Sequence, residues 1–139
     1  MRQPGSSFKT FVYLTALQNG YKPSDTIGDF PISIGDWQPE NIDKKYHGEV
    51  SLTEALAKSY NLATINLAQS LSKSEIIRTA KKMGITTPIQ NTPSLALGAF
   101  EVKVIDMAVA YSAIANGGYA TWPYAIKEIY SRDGYQLYM

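Results

Sequence analysis

Ser6-Ser7-Phe8-Lys9 sets a hydroxyl and an amine at a spacing that brings both side chains to one face of a helical turn. A lysine whose pKa is lowered by burial can take the proton of such a serine, and the serine can then attack a carbonyl carbon. Backbone amides at a helix N-terminus would favour the negative charge that develops. Ser7 lacks this arrangement, because Thr10 stands at the equivalent spacing. The pattern recurs at Ser70-Leu71-Ser72-Lys73, across the end of one expected helix and the cap of the next, and there it reads as chance. Taken alone, Ser6 would also pass as an N-cap with Lys9 solvated. Ser59-Tyr60-Asn61 falls between two expected short helices, where side chains can point into a cleft. A second hydroxyl there could relay a proton to a leaving amine, and an amide could hold a substrate carbonyl. The same two polar residues read equally as end caps.

Composition narrows the chemistry to those groups. The 139 residues contain no Cys and a single His, His47, so a thiolate nucleophile and a His-based metal cluster are excluded. No metal and no cofactor are expected. Thirteen Lys+Arg against 12 Asp+Glu give a net charge of +1, which leaves no basic excess to hold a nucleic-acid backbone. Apolar residues at 45% and charged residues at 18% describe a chain able to bury a core. No stretch of apolar residues is long enough to span a membrane, and Met1–Ser7 has no apolar signal core. The chain stops within the apolar run Gln136–Met139, which suggests an excised piece.

The elements that must position these groups are mostly helical. A first helix is expected from Ser6 to about Gln18, stopped by Asn19-Gly20. Residues 21–50, with Pro23, Pro31, Pro39, Gly28, Gly35 and Gly48, read as an irregular connection with a short strand at Phe30–Ile34. Ser51-Leu52-Thr53-Glu54 fits a capping box for a short helix Leu52–Lys58, and another helix follows to about Leu71. Ser72-Lys73-Ser74-Glu75 repeats the box, for a helix ending at Met83-Gly84. Residues 85–99 read as loop. Val104–Ala115 is apolar on nearly every side and predicts a helix buried all round. Ala125–Tyr130, Asp133-Gly134 and Tyr135–Tyr138 read as a hairpin.

Several segments, taken together, resemble a known family. Arg2-Gln3-Pro4-Gly5-Ser6-Ser7-Phe8-Lys9 is similar to the nucleophile segment of the bifunctional, class A penicillin-binding proteins. The resemblance continues collinearly through Asp29-Phe30-Pro31, Trp37-Gln38-Pro39-Glu40-Asn41, Tyr46-His47-Gly48 and Ala55–Asn61. It runs on through Ser94–Gly98, Ala110-Tyr111, Ala115–Gly118 and Asp133-Gly134. It implies a mainly α fold, the helical lobe of a β-lactamase/transpeptidase-like architecture with a short C-terminal β-hairpin. In that family S-x-x-K, S-x-N and K-T-G line the cleft of a D,D-transpeptidase that cross-links peptidoglycan stem peptides. By position the resemblance makes Ser6 the acylated nucleophile, Lys9 its base, Ser59 the proton relay and Asn61 the residue that binds the substrate amide. It implies stem peptides and β-lactams as partners and a membrane-anchored parent at the outer face of the bacterial cytoplasmic membrane, in the periplasm. The piece itself is expected to be soluble.

One motif of the family is missing. Lys9-Thr10 is followed by Phe11, and no K-T-G occurs in the chain. Residues 1–139 are therefore expected to be part of a transpeptidase domain with half an active site, and on their own inactive or slow. Lys103 stands where the family tends to carry Ser or Thr, which removes a helix cap. Two other readings remain: a β-lactamase-type serine hydrolase, and a non-catalytic helical module that binds or senses cell-wall peptides. The remaining polar and aromatic residues have plainer uses. His47 reads as a solvated or locally bonded histidine, and Asp25, Asp29 and Asp36 as turn residues. Trp37, Tyr46 and Trp122 read as core or loop packing, with the border of a peptide groove as their other use. Ser94–Gly98 borders the cleft or makes a tight turn.

Overall fold

The computed structural model describes residues 1–119, 129–130, 132, 134 and 136–138. Its first element is split. A 3-10 turn, Gly5–Phe8, runs directly into helix α1, Lys9–Gln18, with the Lys9 amide donating to the Ser6 carbonyl. In 3-10 geometry side chains at i and i+3 eclipse, which keeps Ser6 and Lys9 on one side more strictly than an α-turn would. Helix α1 buries Phe11, Val12, Tyr13 and Ala16 together with Lys9 and Thr15. Phe8 packs edge-on against both Phe11 and Phe100, with ring centroids 5.1 and 4.8 Å apart.

The connection that follows is more ordered than its prolines and glycines suggest. Strand β1, Thr26–Asp29, pairs antiparallel with β2, Gly48–Ser51, placing Thr26 opposite Ser51 and Asp29 opposite Gly48. The strand expected at Phe30–Ile34 does not form. Pro31 has no N–H to contribute to a ladder, and Ile34 makes an isolated bridge with Trp37 instead. A long loop between β1 and β2 thus carries residues 30–47.

Helix α2, Leu52–Ala57, starts at Ser51, whose side chain accepts from the Glu54 amide at 3.1 Å. Among the described residues the Glu54 carboxylate makes no return bond, so half of the expected capping box is present. Helix α3, Asn61–Ser70, buries Leu62, Ala63, Thr64, Ile65, Leu67 and Ala68 and packs on β1, α1 and a second 3-10 turn at Pro93–Leu97. Helix α4, Lys73–Met83, buries Ile76, Thr79 and Ala80, keeps Lys81 and Lys82 in solvent, and stops at Gly84 with φ 119. Its expected capping box is absent: the Glu75 backbone amide donates to the Ser72 carbonyl at 3.0 Å, and the Ser72 hydroxyl does not cap.

Helix α5, Val104–Ala115, corrects the sequence reading most. Its inner face is narrow: Asp106, Ala110 and Ala113 are buried, and the Asp106 carboxylate accepts from the Thr86 amide and hydroxyl at 2.9 and 2.6 Å. Val104, Ile105 and Ile114 are 65%, 54% and 40% exposed. Apolar composition says what burial would favour; it does not say which faces are covered. Lys103 at the N-cap makes no side-chain bond. Finally β3, Ile129–Tyr130, pairs antiparallel with β4, Gln136–Tyr138. Residues 125–128, Asp133 and Tyr135 of the expected hairpin, and Trp122, lie outside the described residues.

Candidate active site

Ser6 is exposed on the 3-10 turn, whereas Lys9, one turn on, is 1% exposed. Backbone contacts fix the turn that carries Ser6. Gly5 donates to the Gly98 carbonyl at 3.2 Å, and Arg2 and Val102 exchange two bonds at 3.0 and 2.9 Å. The Tyr111 hydroxyl donates to the Ser7 carbonyl at 2.6 Å and lies 2.8 Å from the Thr10 hydroxyl. Gly98 has no room for a side chain: a Cβ there would lie 2.3 Å from the Gly5 carbonyl oxygen, and its φ is +68. Arg2, Gly5, Gly98 and Tyr111 all fall in segments that carry the family resemblance, but only Ser94–Gly98 is read from the sequence as bordering the cleft.

Across a narrow gap stands the second turn. Lys9 Nζ donates to Ser59 O at 2.9 Å, to Ser59 Oγ at 2.9 Å and to Asn61 Oδ1 at 2.6 Å. The structure therefore joins three of the four candidate residues directly. Ser6 Oγ makes no hydrogen bond among the described residues and stays tied to the group through the helical turn it shares with Lys9. Neither Ser59 nor Asn61 caps a helix. The N-cap position of α3 is Tyr60, which provides no side-chain bond. Asn61 also donates from Nδ2 to the Glu40 carbonyl at 2.9 Å, which ties it to the long loop.

All three partners of Lys9 are uncharged. Burial without a counter-charge disfavours the ammonium, and the Lys9 pKa falls from 10.5 to about 8. An ammonium has three N–H bonds, one for each partner. A neutral amine has two and a lone pair. The carbonyls of Ser59 and Asn61 can only accept, so the Ser59 hydroxyl is the partner able to reverse and donate to Nζ. The Lys9–Ser59 contact is thus the one of the three that can exist with either group donating.

A different cluster supports α3 from behind. The fully buried Asp29 carboxylate accepts from the Ala63 amide at 3.0 Å, Asn41 Nδ2 at 2.8 Å, the His47 amide at 3.0 Å and His47 Nδ1 at 2.5 Å. Asn41 Oδ1 accepts from the Leu62 amide at 3.1 Å. Asp29 is thus a buried cap and no turn residue, while Asp25 does close a turn by accepting from the Lys22 amide at 2.8 Å. His47 is locally bonded through Nε2 to Asp43 at 2.9 Å and, beyond the local reading, reaches Asp29 and stacks on Tyr60.

Tyr46 is exposed and borders a cavity of about 260 Å³ with Pro31–Ser33 and Gln38–Glu40, next to Asn61's contact with Glu40. Half-buried Trp37 borders another of about 230 Å³ with Pro93 and Ser94. A larger cavity of about 370 Å³, lined by Tyr13, Leu17, Leu52 and Leu56 among others, is almost wholly apolar and contains none of the four candidates. The hydroxyls, amine and amide that acyl transfer would need are gathered instead at the Lys9 cluster.

Residues 1–137 match the family described as the penicillin binding protein transpeptidase domain. The chain belongs to that family. Penicillin-binding protein 1A of Pseudomonas aeruginosa is 41% identical over 144 aligned positions, covering 99% of this chain and 18% of that protein. Penicillin-binding protein 1A of Rickettsia felis is 38% identical with the same coverage. The chain thus spans less than a fifth of these curated relatives. The solved penicillin-binding protein 1A from Haemophilus influenzae superposes with a TM-score of 0.87 at 33% identity, over 97% of this chain and 21% of that one. PonA1 from Mycobacterium tuberculosis, in complex with penicillin V, superposes with a TM-score of 0.85 at 25% identity, over 99% and 41%. Among the described residues no helix is long and apolar enough to cross a membrane.

Proposed function

We propose that residues 1–139 are part of a peptidoglycan D,D-transpeptidase domain, carrying the nucleophile and the proton-handling half of its active site. The observation that carries this reading is Lys9 Nζ, buried one turn from Ser6 and bonded to both Ser59 and Asn61, in a chain of the transpeptidase family. Neutral Lys9 takes the Ser6 proton as Ser6 Oγ attacks the carbonyl of a D-Ala-D-Ala bond. The proton passes through the Ser59 hydroxyl to the departing D-Ala amine, while Asn61 binds the stem-peptide backbone. The acyl group on Ser6 is then transferred to an acceptor amine of a neighbouring stem. A β-lactam acylates the same serine, and its ring amine remains attached. The reading places the parent protein at the outer face of the bacterial cytoplasmic membrane, where peptidoglycan is cross-linked.

The sequence has no K-T-G segment, which in this family completes the cleft and helps form the oxyanion hole. Loss of an oxyanion donor alone costs about 10² to 10³ in rate, so the chain by itself is slow or inactive. Mass spectrometry after incubation with benzylpenicillin tests both halves of the reading. The 139-residue chain is expected to gain little adduct. The same chain within a domain that carries K-T-G is expected to gain one adduct, on Ser6, absent in Ser6→Ala. Rapid stoichiometric acylation of the short chain overturns its inactivity, and an adduct that persists in Ser6→Ala overturns the site.

A further inference from the structure

We propose that Asp29, Asn41 and His47 are positioning residues that hold the Ser59–Asn61 turn in its working geometry, with His47 making that hold sensitive to proton uptake. The proposal rests on the transpeptidase reading for what the turn does, but not for how the turn is held.

The argument starts from a backbone difficulty. Ser59 has φ +58, in the left-handed region that strains a residue with a Cβ, so its surroundings must impose it. On the α2 side the turn is secured by backbone bonds, Ser59 N–H to Leu56 O at 3.1 Å and Tyr60 N–H to Ala55 O at 3.0 Å. On the α3 side the N-cap residue, Tyr60, offers no side-chain acceptor. The amides of Leu62 and Ala63 would be left without partners inside the protein. They are instead met by Asn41 Oδ1 and Asp29 Oδ1, side chains imported from the β1–β2 region. Asn41 has both amide hydrogens in use, on Asp29 Oδ2 at 2.8 Å and the Lys45 carbonyl at 2.9 Å, which fixes its orientation. The His47 ring then closes the cluster over the middle residue of the turn, stacked on Tyr60 at 3.9 Å and an interplanar angle of 8°.

The groups facing His47 are Asp29 from β1, Asp43 and the Asn41 amide from its own loop, and Tyr60 from the turn, while Lys45 acts on Asp43. The hydrogen bond to Asp29 raises the His47 pKa above 6.5, with burial opposing and Asp43 adding to the rise. The protonated ring therefore supports the cluster most at low pH, and its charge contribution fades as pH climbs through that raised value. Neutral His47 still donates from Nδ1, so the hold weakens without vanishing. Loosening the turn withdraws Ser59 and Asn61 from Lys9 and admits water to its amine.

The test uses a complete transpeptidase domain carrying this chain and a fluorescent penicillin, with acylation followed from pH 6 to 10. Asp29→Asn and His47→Leu are expected to slow acylation roughly tenfold to hundredfold, as small misplacements of a reacting group do. They also move the alkaline midpoint upward from about 8, because Lys9 becomes more hydrated. His47→Asn, whose amide can replace Nδ1–H, recovers much of the rate. A variant that merely lost stability would reduce the active fraction and leave the midpoint in place. Unchanged midpoints and near-wild-type rates in both variants overturn the proposal. If the variants fail to fold, hydrogen exchange in the unmutated domain decides. The Leu62 and Ala63 amides must be protected, with protection factors that fall as His47 loses its proton, and unprotected or pH-indifferent amides overturn the proposal. Labelling that survives Ser6→Ala defeats the transpeptidase reading alone, since the exchange measurement needs no activity.

Discussion

The two turns that meet at Lys9 solve the same backbone problem with different materials. Gly5, before the Ser6 turn, has φ +57, and Ser59 has φ +58. Each residue leads into a helix that has no side-chain cap of its own. At Gly5 the left-handed conformation costs little, because glycine has no Cβ. Main-chain bonds to Gly98 and Val102, plus one tyrosine hydroxyl, are enough to dock that segment. At Ser59 the proposed mechanism uses the hydroxyl beside Lys9, which glycine could not supply, and a buried carboxylate, an amide and an imidazole brace the helix start. Where chemistry requires a side chain at a strained position, the supporting polar network becomes larger and more buried.

Lys9 is where the two turns depend on one another, and its replacement has the largest expected effect. Lys9→Met removes the proposed base, and loss of a general base costs about 10² to 10⁴ in rate. It also leaves Asn61 Oδ1 and the Ser59 carbonyl without their donor. In a complete domain, β-lactam acylation followed by stopped flow should fall by that factor with no recovery at high pH. In the unmutated protein the rate should rise with pH and level off above about 8, as Lys9 becomes neutral. A rate that is flat across that range removes Lys9 from the role of base.

Next in size is an insult to the glycine-built turn. Gly98→Ala puts a Cβ against the Gly5 backbone and asks an L-residue to hold φ +68. The left-handed conformation costs about 1–2 kcal/mol and overpacking against a rigid neighbour about 1–3 kcal/mol. Denaturant unfolding should show a loss near the sum of these terms, accompanied by slower acylation as Ser6 shifts. The serine-built turn should respond in the opposite sense. Ser59→Gly relieves the strain at φ +58 and is expected to raise stability by roughly 1 kcal/mol, while removing the proposed relay hydroxyl and slowing acylation. Loss of both stability and rate in Ser59→Gly would mean that the hydroxyl's bond to Lys9 outweighs the strain.

This asymmetry also explains what the sequence could disclose. Signals confined to a few neighbouring residues were readable: the stop at Gly84, the Ser51 cap, and the spacing that sets Ser6 above Lys9. Lys9 and Ser59 are 50 residues apart, so their meeting was legible only through the family resemblance, and spacing alone could not place it. Asp29 reads as a turn residue, His47 as a solvated or locally bonded histidine and Asn41 only as part of an irregular connection, because their types are the same in either use. A helix start at Asn61 behind an uncapping Tyr60 was the one available sign that acceptors had to come from elsewhere. The all-round burial expected of α5 failed for a related reason. Hydropathy along one helix carries no information about the partner that covers it, and the strand expected at Phe30–Ile34 was displaced by a β1–β2 pairing fixed across 18 intervening residues of loop.

The smallest effect is expected at the outer edge of the glycine-built turn. Tyr111 donates to the Ser7 carbonyl at 2.6 Å and sits 2.8 Å from the Thr10 hydroxyl, so it bridges α5 to the segment between Ser6 and Lys9. It is 38% exposed, and both of its partners can turn to water when the hydroxyl is removed. Tyr111→Phe should therefore cost only about 0.5–1 kcal/mol in unfolding free energy, the net value of one partly exposed hydrogen bond. Acylation should change by a few-fold at most and the midpoint near 8 should stay in place, because none of the acceptors around Lys9 is disturbed. A midpoint that moved in Tyr111→Phe would show that the nucleophile turn, and not only the Ser59 turn, sets the environment of the lysine; the division of labour between the two turns would then be wrong.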